Sequence, residues 1–171
     1  MISLRHIPFA LALVLLIGLV GTATAKPRRL PLQIIDQVLQ DACSAGCSTE
    51  DLAIYKRSLR FETKDLNRDH HPEFLVYIEH RDFCGMSFNC AYWVFRRRRN
   101  DYQLIASGYP VLRVARTVTN GFWDLESQGH MGACVLPDGT TGRHFYLTLF
   151  KYSGKKYVPR EIGEQCRPHR W

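Results

Sequence analysis

Five polar side chains recur at alternate positions in one short stretch: Asp65, Asn67, Asp69, His71 and Glu73. On a tight loop such spacing turns oxygens inward, which suits a hard cation such as calcium. The same side chains can instead accept from their own backbone amides and form an Asx-type turn with no ion. No cofactor other than calcium is expected from the residue pattern.

Three other groups could do chemistry. Arg96-Arg97-Arg98-Arg99 is the densest charge in the chain and follows Tyr92, Trp93 and Phe95. That mixture of aromatic and basic residues occurs in single-strand nucleic-acid binders, but also at solvated strand ends that discourage edge pairing. On a strand the four arginines would divide two to each face, with Arg97 and Arg99 sharing one. Second, Cys84 to Cys90 closes a short loop presenting Phe83, Met86 and Phe88, which are either rigid binding anchors or cover for the core. Third, Glu79, His80 and Asp82, or Asp124, Glu126 and His130, could serve acid–base work on a polyanionic substrate. There is no HExxH, GxSxG, P-loop or dinucleotide fingerprint.

The stretch from Asp65 to Glu73 resembles the Asp-x-Asn-x-Asp-Gly-x-x-Glu calcium loops of FG-GAP and VCBS-type repeats, as found singly in small exported bacterial proteins. The resemblance implies Asp65, Asn67, Asp69 and Glu73 as ligands. It covers nine of 171 residues. His70 stands where those loops carry glycine, and a left-handed backbone strains a residue with a Cβ. The spacing is not that of an EF-hand, whose bidentate glutamate would fall on Val76.

Residues 1–25 read as a signal peptide: a short basic start, an apolar run from Pro8 to Val20, and Ala23-Thr24-Ala25 for the peptidase. A membrane span needs about 20 residues. The apolar run falls short of that, and no second one follows. Residues 26–171 then form one globular domain with 22 basic against 16 acidic residues, a net charge of +6. Such a surface attracts polyanions. All six cysteines lie in this part, which for an exported protein implies three disulfides. Spacing favours Cys84–Cys90 and Cys43–Cys47, the latter around Gly46, leaving Cys134–Cys166 to staple the tail.

The elements that hold these groups follow from periodicity. Pro31 to Ala42 places Leu32, Ile34, Ile35, Val38, Leu39 and Ala42 on a helical stripe. Ser48-Thr49-Glu50-Asp51 starts a second helix ending near Lys56. From Arg57 the pattern alternates, giving a half-exposed strand through Lys64, then a more central one from Phe74 to Ile78. Further strands run from Tyr92 into the arginines, Tyr102 to Ala106, Val111 to Thr117, and Phe122 to Glu126 after the Asn120-Gly121 turn. Gly129 to Gly142 reads as a long loop, and Phe145 to Phe150 with Lys155 to Pro159 as a closing hairpin. The class is α+β: two N-terminal helices on an antiparallel, meander-like sheet or partly open barrel of about seven strands. The expected function is a periplasmic or secreted binding or accessory protein, inhibitor-like in manner. Its partner would be a protein or an acidic envelope component, with nucleic acid as the alternative through the basic surface.

Overall fold

The computed structural model describes residues 29–80, 83–84, 89–108 and 112–168. The segment expected to be a signal peptide, Asp82, Met86 and Phe88 lie outside the described residues.

Helix α1 spans Leu32–Ala42 and α2 spans Thr49–Ser58. Ile34 and Val38, one turn apart, are fully buried. Leu32 does not share their face. Two residues from Ile34, it points to nearly the opposite side of the helix. Its side chain is 77% exposed. A reciprocal capping box starts α2: the Ser48 hydroxyl accepts from Asp51 N, and the Asp51 carboxylate accepts from Ser48 N. The helix continues past Lys56 to Ser58 and passes directly into strand β1, Leu59–Lys64.

Strands β2 (Glu73–Ile78), β3 (Tyr92–Arg97) and β4 (Tyr102–Gly108) complete an antiparallel sheet in chain order. A second antiparallel sheet contains β5 (Leu112–Thr119), β6 (Phe122–Val135), β7 (Thr141–Tyr152) and β8 (Tyr157–Pro168). The eight strands therefore form two four-stranded sheets, not one meander or barrel.

Their stacking explains the dense apolar runs of β2 and β3, which are covered on both faces. Phe74, Val76, Ile78, Trp93 and Phe95 cluster with Ile34 and Val38 of α1. Alternate residues Leu75, Tyr92 and Val94 cluster with Phe122, Leu125, Tyr152 and Tyr157 of the second sheet. Two hydrogen bonds fasten α1 to the first sheet: Trp93 Nε1 to Asp41 Oδ2 at 2.6 Å, and Gln37 Nε2 to Tyr102 O at 3.1 Å.

The segment from Gly129 to Gly142 is not a long loop. β6 runs on to Val135, and only residues 136–140 turn, with Leu136 N bonded to Thr140 O at 2.8 Å. Two of the glycines that suggested a loop instead permit close approach within strands. A Cβ on Gly129 would collide with the Tyr146 ring. One on Gly142 would lie 2.6 Å from Arg167 O and 3.0 Å from Cys166 Sγ. The Cys134–Cys166 disulfide joins β6 to β8 across β7, whose Gly142 is paired with both Cys134 and Pro168. Cys43–Cys47 and Cys84–Cys90 are the other disulfides. Among the described residues no helix is long and apolar enough to cross a membrane.

Candidate functional site

The acidic turn joins β1 to β2, and its carboxylates face backbone amides. Asp65 Oδ2 accepts from His70 N at 3.0 Å, Asn67 Oδ1 from Asp69 N at 3.0 Å, and Asp69 Oδ1 from His71 N at 2.8 Å. Glu73 Oε2 accepts from Leu66 N at 2.8 Å. These bonds hold Arg68 and His70 at φ 63° and 64°. His70 thus takes the left-handed conformation usually left to glycine. Two oxygens stay buried without a hydrogen bond: Asp65 Oδ1 and Glu73 Oε1. Among the described residues no three His, Cys, Asp or Glu side chains converge as a metal-binding group.

The turn is anchored to the second sheet. Trp123 N donates to Leu66 O at 2.7 Å, and the Arg68 guanidinium sits 4.6 Å from the Trp123 ring centre. Beside it opens a hollow of about 390 Å3 lined by Asp69, His71, Glu73 and all four of Arg96, Arg97, Arg98 and Arg99.

Strand alternation would have separated those arginines. They converge because β3 ends at Arg97 and the chain turns, with Arg98 N bonded to Asp101 O at 2.7 Å. Arg96 forms the inner wall, 3.9 Å from Asp69 Oδ2 and 5.0 Å from the Phe122 ring centre. Gln103 Oε1 holds Arg98 by its Nε and Nη2 at 2.9 and 2.6 Å, orienting the guanidinium without neutralising it. Arg97 and Arg99 are exposed, and among the described residues their side chains make no hydrogen bond or ion pair.

Glu73 is the floor. It is fully buried, and burial pushes its carboxyl up to about 7. The Leu66 amide hydrogen bond and the Arg96 charge oppose that rise, while Asp69 adds to it. The hollow therefore has four arginines around it, one of them beside Asp69, and a carboxyl beneath that keeps its proton up to about pH 7. It can hold an anion by charge and by forked hydrogen bonds.

The other expected site residues are dispersed. Phe83 packs its ring 4.0 Å from Tyr55 and 5.4 Å from His80, half-buried beside the helix-side core. Glu79 pairs with Arg60 at 2.9 Å. Asp124 is buried and accepts from the Thr117 hydroxyl at 2.7 Å, Glu126 lies 3.6 Å from Arg113 Nε, and the His130 ring meets Phe145 edge-on. The raised carboxyl lies next to His71, not beside His80 or His130. The grouping of Glu73 with the arginines was missed from sequence, although pairing Phe74 with Phe95 brings Glu73 to Arg96. Compared with models of known protein families and with curated protein sequences, the chain matches none.

Proposed function

We propose that this is an exported, disulfide-stapled binding protein that holds an acidic patch of a partner protein, or an anionic envelope component, in the arginine hollow. One observation carries the reading: Arg96 to Arg99 border a single concavity, brought together where β3 ends and the chain turns. Export is supported by the apolar leader and by three disulfides, which persist in oxidising compartments. Binding is favoured over catalysis because Glu73, the carboxyl with the raised pKa, is sealed beneath the surface. The contact surface centres on Arg97 and Arg99, with Phe83 supporting the helix-side core.

The test is retention on heparin and capture of partners by the oxidised protein, comparing wild type with Arg97→Ser/Arg99→Ser. The variant should elute at clearly lower salt and lose any captured partner. Unchanged elution and capture would overturn the reading.

A second reading, a calcium-stabilised turn, is favoured by the two buried oxygens without partners, Asp65 Oδ1 and Glu73 Oε1. An ion there would use Asp65, Asn67, Asp69 and Glu73. A melting temperature that is the same in calcium and in chelator would rule it out.

A further inference from the structure

The long β6–β7–β8 ribbon carries a second hollow, of about 520 Å3, that belongs to none of the groups above. Gln128, Arg143, Phe145, Arg167 and Pro168 line it. Cross-strand register sets Arg143 directly opposite Arg167, so two arginines from neighbouring strands border the same hollow.

The hydrogen bonds around Arg167 are to neutral groups. Its Nε and Nη2 both donate to Gln165 Oε1, at 3.0 and 2.6 Å. Its Nη1 reaches Gln128 Oε1 at 3.5 Å, and Arg113 Nη2 donates to that same oxygen at 2.6 Å. Two guanidiniums thus converge on one amide oxygen, which orients both and neutralises neither. Glu126 Oε1 lies 3.6 Å from Arg113 Nε, a longer contact than the amide's. Arg167 also lies 5.9 Å from the Phe145 ring centre, so the floor is aromatic.

We infer that this hollow is an anion site for a phosphoryl group carried on an apolar or planar body. Phosphate suits it better than carboxylate. Arg143 of β7 and Arg167 of β8 line the hollow, and Arg113 of β5 reaches its Gln128 wall, so guanidiniums from more than one strand can share a tetrahedral dianion, whereas a planar carboxylate is satisfied by a single fork. Phe145 and Pro168 receive the apolar part. The phosphoryl group belongs either to a soluble monoester or to a lipid headgroup.

Gln128→Glu tests the site, because it places a carboxylate where the two guanidiniums meet. The probes are phenyl phosphate in a thermal-shift titration, and co-sedimentation with phosphatidylglycerol vesicles against phosphatidylcholine vesicles. Wild type should respond to at least one anionic probe. Gln128→Glu should melt no lower than wild type and bind that probe about tenfold more weakly. A response to phenyl phosphate identifies the soluble monoester, and a response to vesicles alone identifies the headgroup. Arg97→Ser/Arg99→Ser should leave the phenyl phosphate response intact, which separates this site from the arginine hollow. If Gln128→Glu fails to fold, Arg167→Lys keeps the charge, loses the fork and should weaken binding similarly. No response to either probe, or equal responses in wild type and the variants, would overturn the inference.

Discussion

The Asn89 side chain meets the backbone of His130 as a neighbouring strand would. Its Oδ1 accepts from His130 N and its Nδ2 donates to His130 O, each at 3.2 Å. Among the described residues β5 pairs with β6 as far as Ser127, and beyond that point this side chain stands in for strand pairing. It also ties the Cys84–Cys90 loop to the second sheet. Asn89→Ala should lower stability by roughly 1–3 kcal/mol, since it leaves two part-buried backbone groups unpaired. Asn89→Asp keeps the acceptor, loses the donor and should lie between. Urea unfolding of the oxidised protein measures both, and a variant within about 0.5 kcal/mol of wild type would show that water replaces the amide.

The buried Glu73 carboxyl makes stability depend on pH. Its pKa rises from 4.5 to about 7 on folding, so the folded chain holds that proton more tightly than the unfolded chain does. This contribution is complete below about pH 4.5 and is lost as pH rises through 7. The charged groups facing it include Asp69 and Arg96, and the Tyr157 phenol is raised first by burial and then by the Glu73 and Asp124 charges. Melting temperature measured in chelator should therefore fall between pH 5 and 8. Glu73→Gln keeps an acceptor for Leu66 N and should flatten that fall, overtaking wild type above pH 7. Parallel profiles would place the pH dependence elsewhere.

How far the sequence could be read depended on whether a signal was local. The Ser48 cap, the Asn120-Gly121 turn and the run from Phe74 to Ile78 are decided within a few residues, and the structure has each in place. Asn120 and Gly121 adopt φ 51° and 79°. A tight hairpin turn requires such positive values. The break between the two sheets left no such trace, because it is set by which faces Leu75 and Val94 share with Phe122 and Leu125. The arginine hollow was hidden for a related reason. Four consecutive arginines look divided between faces until one knows that the strand ends at Arg97. At the second hollow, Gln128 is met by Arg113 and Arg167 from two other strands, and no spacing rule links the three.

Gly142 tests whether the glycines of the ribbon serve contact or flexibility. Its hypothetical Cβ would come closest to Arg167 O, a backbone atom that cannot rotate away, and next closest to Cys166 Sγ. Gly142→Ala should therefore force β7 and β8 apart and cost roughly 1–3 kcal/mol, the usual range for overpacking. Thr141→Ala, at an exposed neighbour, should stay within about 0.5 kcal/mol of wild type. Comparing these variants in the presence and absence of the Cys134–Cys166 bond separates the two contacts. Because the carbonyl is the nearer atom, most of the loss should persist in a Cys134→Ser/Cys166→Ser background. If Gly142→Ala is harmless in both backgrounds, the ribbon is loose enough to absorb a methyl group, and the close approach of β7 to β8 is not what requires glycine there.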